Sequence, residues 1–456
     1  MKIARRIIVL ALCIIVVYAL SYGWRAAPIL TAYGAKIMCS CIFLGGRDAQ
    51  SVHDYELKRF PVSLGTYVLN RDDSSATGSI LGLARNKAIY RKGLGCTLVN
   101  EISEDELRRQ DIRVATTSVN TDTIPWPLGD RLPETQADGV DMKRLQRAVS
   151  AAFAPTGPED LRNTRAILVV FRGNLIAERY ADGFDRHSRH LGWSMTKSVM
   201  NALVGILVKQ GKLRLNEPAP VPFWQEDDRK TITLNDLMHA SSGLAWVEDY
   251  SGPSDATTML FRKKDAGLFA AHHPLEHSPG TEFKYSSGTT NIIAWIIRQT
   301  LGDNDYYQFP VRELFNKAGM HSMVLEVDAG GTFVGSSFSY ATARDWARFG
   351  LLYLNDGVVG GERLLPEGWV RYSSTPGAAS NAEYGAQFWL NAGPPDNPRA
   401  RAMPDVPADA FSADGFAGQN VFIIPSRDLV VVKLSESRGD YLDDNRFLAD
   451  IIAALP

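Results

Sequence analysis

Two apolar stretches far apart in the chain, AILVVFRGNLIAERY (166–180) and NVFIIPSRDLVVVKLS (420–435), constrain the fold more than any other feature. Each is interrupted by a turn signal, Arg172-Gly173-Asn174 in the first and Pro425 to Asp428 in the second, so each reads as a β-hairpin. A lone hairpin is at best marginally stable in water. The two are therefore expected to join one antiparallel sheet, although the sequence between them is largely helical and loop-like. SMTKSVMNALVGILVKQG (194–211), TNIIAWIIRQTLG (290–302) and YATARDWARFGLLYLNDG (340–357) supply those helices. A helix with Leu145, Val149 and Phe153 on one face precedes the first hairpin, and the amphipathic DNRFLADIIAAL (444–455) follows the second. This order predicts an α+β domain over 139–456, an antiparallel sheet flanked by helices with an all-helical lobe.

The N-terminus predicts a membrane segment. Lys2, Arg5 and Arg6 precede an unbroken apolar run from Ile7 to Leu20, and Tyr22 and Trp24 follow. A signal-peptide core and a short spanning helix both fit such a run. We expect an uncleaved anchor over 1–25, its positive end inside and the rest of the chain extracytoplasmic (periplasmic). Residues 26–138 read as an N-terminal extension and linker. AYGAKIMCSCIFLGGRD (32–48) suggests a helix ending at Gly45-Gly46, residues 79–99 a strand pair, and residues 100–135 a polar linker on the surface. In an oxidising compartment Cys96 can pair with Cys39 or Cys41, or all three can stay unpaired; the sequence does not choose. A net charge of −2 over 456 residues, with no long basic run, argues against nucleic acid as a partner.

Chemistry is suggested first by Ser194 and Lys197. Three residues apart at a helix start, they share a face. A lysine is electrostatically misplaced there, because the helix dipole is positive at that end. One reading is a capping serine and a lysine that snorkels to solvent. The other is a nucleophile beside a buried lysine whose proton is destabilised, so that it can act as a base. Tyr285, in PGTEFKYSSG (279–288), can join them as a general base if the lysine favours its phenolate, or can be a core tyrosine. Gly415 and Gly418, in FSADGFAGQNVFIIP (411–425), allow a ligand to approach a sheet edge closely. Trp246, Glu248 and Trp389 can line the cleft, and either tryptophan can equally pack in the core. His272, His273, Glu276 and His277 read as a surface loop rather than a metal site.

Together, Ser194-x-x-Lys197, Tyr285-Ser286-Ser287 and the Ala413-Asp414-Gly415 strand resemble the serine β-lactamase and penicillin-binding-protein superfamily, most closely its class C branch. Over residues 140–455 the wording is similar to the 6-aminohexanoate-dimer hydrolases of that branch. The resemblance implies an acyl-enzyme on Ser194, with Lys197 and Tyr285 as general base and acid. It implies an oxyanion hole from the Ser194 and Phe416 amides beside Gly415, a substrate with an amide or ester bond, and no metal or organic cofactor. Two departures stand out. Ser287 replaces the asparagine that binds substrate and orients the lysine, and Ala413 replaces the lysine that attracts a substrate carboxylate, with anionic Asp414 next to it. Efficient β-lactamase activity is therefore not expected. The competing expectation is a catalytically silent member that binds a cell-wall or peptide ligand. Oligomeric state is not legible.

Overall fold

The structure is a computed structural model that describes residues 2–114, 119–133, 138–155, 162–439 and 441–456. The two sequence-read hairpins form at Thr164–Phe171 with Asn174–Tyr180, and at Gln419–Ile424 with Leu429–Ser435. They join edge to edge: Leu429–Ser435 pairs antiparallel with Thr164–Phe171. Phe411–Gly415 and the short Trp389–Leu390 extend the sheet to six antiparallel strands. Arg172 and Gly173 both take positive φ, the geometry a two-residue hairpin turn requires.

Period-two alternation divides this sheet between two cores. Ile167, Val169, Phe422 and Val431 face the helices Met142–Ala151 and Asp444–Ile452, through Leu145, Val149, Phe447 and Leu448. Ala166, Leu168, Val421 and Val430 face the other way, onto the helices Met195–Lys209 and Ala343–Leu354 and the lobe beyond. On Ala343–Leu354, Gly350 lets the helix approach closely, since a Cβ there would stand 2.5 Å from Val430. The lobe comprises the helices Asp255–Arg262, Ala266–Ala271 and Ser287–Leu301 and their loops. The expected α+β architecture is the one observed.

The N-terminal part is more ordered than its sequence suggests. One helix runs unbroken from Lys2 to Cys39, through the expected boundary at 25/26, and a π-helical turn carries it to Gly45 and Gly46, where it stops. It is long and apolar enough to cross a membrane, by length and composition. From Ile29 onward it is covered by a four-stranded antiparallel sheet, Thr66–Asn70, Ser75–Ile80, Leu83–Arg91 and Gly95–Leu98. Cys39 pairs with Cys96, and Cys41 stays a buried free thiol beside the Tyr340 hydroxyl. Buried ion pairs tie the extension to the main domain: Lys36 with Glu326, and Glu56 with Arg165. The polar stretch 100–135 holds a helix, Glu104–Arg109, closed by a Ser103 capping box, and Trp126 lies under the Arg348 guanidinium. Positions 115–118, 134 and 135 of that stretch lie outside the described residues.

Candidate active site

The backbone around Ser194 is set by its neighbours. Trp193 has φ +46°, unusual for a bulky side chain. Such a conformation persists only where the surroundings over-determine it. Here Tyr33 stacks on the indole at 6.3 Å, Phe416 meets it edge-on at 5.7 Å, and Phe338 lies 5.9 Å away. Tyr33 belongs to the N-terminal helix, so the extension helps fix the Ser194 turn.

Ser194 occupies the N-cap position, yet its side chain makes no capping hydrogen bond. Its Oγ instead accepts from Lys197 Nζ at 3.0 Å. The snorkelling alternative fails too, because Lys197 is only 2% exposed. Its ammonium donates three hydrogen bonds: to Ser194 Oγ, to Ser287 Oγ at 3.0 Å and to the Ser336 carbonyl at 2.9 Å. That set matches the three donors of a charged lysine. Burial nonetheless lowers its pKa to about 8, and the Glu248 carboxylate partly opposes the shift.

Tyr285 closes the site from the lobe side. Lys197 Nζ lies 5.0 Å from the centroid of its ring, which stacks on Trp389 at 5.2 Å and meets Tyr384 edge-on at 5.8 Å. The sequence leaves open a phenolate favoured by the lysine or a core tyrosine. Burial raises the phenol far above its ordinary value, only partly offset by hydrogen bonding to Ser194. Tyr285 holds its proton, because desolvation outweighs the hydrogen bond to Ser194.

Ser287 is the hub of a second layer. Its Oγ donates to Glu248 Oε1 at 2.6 Å, and its N–H donates to Glu248 Oε2 at 2.9 Å. The same carboxylate accepts from Trp246 Nε1 and from the Tyr250 hydroxyl. Tyr250 also lies 3.0 Å from Ser287 Oγ. Sequence alone offered Glu248 as a cleft residue and left Trp246 between cleft and core. The structure places both behind the lysine.

The Ala413–Gly415 strand splits by its alternation. Gly415 faces the Ser194 turn, so closely that a Cβ would stand 2.3 Å from the Gly192 carbonyl oxygen. Phe416 follows at the rim, 45% exposed, with the Arg59 guanidinium of the extension 5.3 Å from its ring. Ala413 shares the Gly415 face. Asp414 turns to the opposite face, where it accepts from Asn420 at 2.9 Å and lines a cavity with Trp389, Asp443 and Asp444. The structure thus brings together Ser194, Lys197, Tyr285, Ser287, Gly415 and Phe416, and sets Asp414 apart. Among the described residues no group of three or more histidines, cysteines or carboxylates is arranged to hold a metal.

The family model for Beta-lactamase matches residues 158–453, well over half of the chain. The chain belongs to the beta-lactamase family. Among curated relatives, the 6-aminohexanoate-dimer hydrolase of Paenarthrobacter ureafaciens is 27% identical over 297 residues, covering 60% of this chain and 72% of that protein. Protein Rv1367c of Mycobacterium tuberculosis is 26% identical over 257 residues, covering 44% and 63%. Among solved structures, a putative 6-aminohexanoate-dimer hydrolase from Bacillus anthracis superposes with a TM-score of 0.55 at 22% identity, covering 71% of this chain and 86% of that one. EstCE1, described as a hydrolase with promiscuous acyltransferase activity, superposes with a TM-score of 0.54 at 16% identity, covering 69% and 97%. These likenesses establish the fold of this beta-lactamase family member as a serine-hydrolase fold.

Proposed function

We propose that the protein is a serine hydrolase that cleaves an amide or ester through an acyl-enzyme on Ser194. The observation that carries this reading is Lys197: buried, depressed to about 8, and 3.0 Å from the Ser194 hydroxyl. At pH 7 about a tenth of such a lysine is neutral, against well under a thousandth for a free one. The neutral amine takes the Ser194 proton as Oγ attacks the substrate carbonyl. The oxyanion forms at the helix N-terminus, held by the Ser194 and Phe416 amides. Tyr285 then passes its proton to the leaving nitrogen or oxygen as the carbonyl bond to that atom breaks. It recovers a proton from the Lys197 ammonium. Water attacks the acyl-enzyme by the reverse sequence and frees the acid.

The substrate class follows from charge. Ala413 supplies no cation on the face that Gly415 shares, so a substrate carboxylate finds no charge partner there. A neutral or cationic acyl compound fits this surface better than a β-lactam carboxylate. The localisation we propose is a membrane-anchored protein with its catalytic domain outside the cytoplasm. Arg5 and Arg6 before the apolar run support that orientation, and the Cys39–Cys96 disulfide supports an oxidising compartment. Labelling with a fluorophosphonate tests the mechanism. The expected result is a covalent adduct on Ser194 that Ser194→Ala abolishes; a folded protein without labelling would leave a silent ligand-binding member of the fold. A panel of 4-nitrophenyl esters, 6-aminohexanoate dimer and nitrocefin tests the substrate class, with rapid nitrocefin turnover the result against it.

A further inference from the structure

The N-terminal helix passes from its apolar segment into the folded body without a linker. Trp24 is 84% exposed, and five residues later Ile29 is buried. At 1.5 Å per residue that is about 8 Å. A body this close to the end of a spanning segment rests on the surface that the segment crosses.

Two features of the body reach back toward Tyr22 and Trp24. The first is the hairpin tip between Ser75–Ile80 and Leu83–Arg91. The strand Leu83–Arg91 runs beside the helix in the same direction: Asn86 donates to the Pro28 carbonyl at 3.0 Å, and Tyr90 stacks on Phe43 at 5.7 Å. The tip residues Leu81 and Leu83 lie beyond Ala84, whose carbonyl accepts from the Thr31 hydroxyl at 2.6 Å, and project from that level toward the Trp24 end of the helix. They are 94% and 72% exposed. An apolar pair held in solvent at a turn is unfavourable unless something apolar receives it.

The second feature is the loop from Val247 to Gly252. At one end Glu248 and Tyr250 hold Ser287, the hydrogen-bond partner of Lys197. At the other end Gly252 lies against Tyr22, so that a Cβ would stand 2.5 Å from the Tyr22 hydroxyl. Glu248 and Gly252 are four residues apart, at most about 14 Å of chain. The same loop exposes Val247 and Tyr250, at 55% and 51%. One short loop thus links the site to the aromatic end of the apolar helix.

We propose that the cleft works on a bilayer surface and that its substrate is an amphiphile borne by that bilayer. The apolar helix spans the bilayer, Trp24 marks its outer edge, and Leu81 and Leu83 dip into the headgroup layer. The Ser194 turn, fixed by Tyr33, stands nine helix residues beyond Trp24, about 14 Å. The labile ester or amide is therefore carried in the polar head of the amphiphile, while its tail remains in the membrane. This proposal rests on the acyl-enzyme reading of Ser194.

Two measurements on the full chain in dioleoylphosphatidylcholine vesicles test it. The first compares a soluble umbelliferyl ester with the same ester tethered through a short spacer to phosphatidylethanolamine in the vesicle. Replacing both tip leucines (Leu81→Asp with Leu83→Asp) is expected to lower turnover of the tethered ester about tenfold or more, from lost apolar burial, and to leave the soluble ester unchanged. Equal rates for the variant and the parent on both esters would overturn the proposal. The second places an environment-sensitive NBD label on Leu81→Cys in a Cys13→Ser, Ser194→Ala background, so it needs no turnover. A blue-shifted emission that survives dilution of the protein in lipid is expected. Water-like emission, or a shift that disappears on dilution and so reports a second copy covering the tip, would overturn it. Absence of turnover on both esters together with absence of fluorophosphonate labelling would instead reject the Ser194 reading, and the NBD label would still report docking.

Discussion

Lys197 and Glu248 hold the same hydroxyl from opposite sides: Ser287 Oγ accepts from the lysine at 3.0 Å and donates to the carboxylate at 2.6 Å. The carboxylate acts on the lysine through this oxygen and through its field, which raises the lysine pKa against the larger effect of burial. Removing the charge removes the opposing influence. Glu248→Gln is therefore expected to move the acid limb of kcat/KM below its wild-type position near pH 8. A pH–rate profile reads the shift directly, and a limb that stays in place would separate Glu248 from the lysine. Glu248→Asp, which keeps the charge, is expected to keep the limb.

The depressed lysine also has a thermodynamic signature. Between about pH 8 and its ordinary value of 10.5, the unfolded chain keeps a proton that the folded chain has lost. The unfolded state binds more protons there, so this group makes stability rise with pH, by roughly 1.4 kcal/mol per unit inside the window. Below pH 8 both states are protonated and the cost of the buried charge is fully present. Urea unfolding of wild type and Lys197→Met at pH 7.5 and 9.5 isolates the contribution. The difference between the two proteins is expected to move in favour of wild type at the higher pH.

Tyr285 is expected to act with its proton on. Burial holds its phenol far above the ordinary tyrosine value, so no limb from Tyr285 should enter the pH profile below pH 10. Tyr285→Phe keeps the ring that stacks on Trp389 and removes only the transferable proton. General acid–base groups of this kind contribute about 10²–10⁴ in rate. A loss of kcat in that range, with KM little changed and the fold intact by circular dichroism, is the expected outcome.

How much of this was legible in the sequence follows the range of each interaction. The two hairpins were readable because their turns and alternation are local, and their union in one sheet followed from the need to cover apolar faces. The Ser194–Lys197 pair was readable because three residues on a helix fix a shared face. The sheet of the extension was recognised only in part: Thr66–Asn70 alternates between exposed and half-buried, and Ser75–Ile80 is rich in small residues, so neither carries a strong apolar period. The role of Glu248 depends on a loop folding back to Ser287, 39 residues away, which no local pattern encodes. Asp414 was readable as a neighbour of Gly415, but not the face it takes. Period two puts it on the face opposite Gly415, and proximity in sequence obscured this. The direction of the Tyr285 shift needed burial on both sides of the ring, which only the assembled fold supplies.

Gly415 is a test of geometry without charge. An added Cβ would meet the Gly192 carbonyl at 2.3 Å and the Trp193 Cβ at 3.3 Å. Neither can yield freely, because Gly192 is hydrogen-bonded to Ser339 and Trp193 is held among three aromatic rings. Gly415→Ala is therefore expected to push the strand away from the Ser194 turn, at a cost of about 1–3 kcal/mol typical of overpacking. Widening the gap between the Ser194 and Phe416 amides should slow fluorophosphonate labelling more than it lowers stability. The ratio of labelling rate to urea midpoint, compared with Gly183→Ala at an open turn, checks it.

The disulfide supports the last expectation. Cys39 and Cys96 are separated by 57 positions and join the N-terminal helix to the last strand of the extension sheet. Closing a loop of that length is worth about 4 kcal/mol in the chain-entropy account. The same helix carries Tyr33 onto Trp193 and Lys36 onto Glu326, so loosening it also loosens the turn that presents Ser194. Cys96→Ser is expected to lower the urea midpoint of the full chain and, at denaturant levels below global unfolding, to slow labelling of Ser194. Cys39 and Cys96 are both fully buried, so a reductant should reproduce both effects only at denaturant levels that open the extension, and a Cys41→Ser control leaves the bridge intact. Labelling that stays at the wild-type rate in Cys96→Ser while the midpoint falls would show that the extension stabilises the chain without positioning the serine.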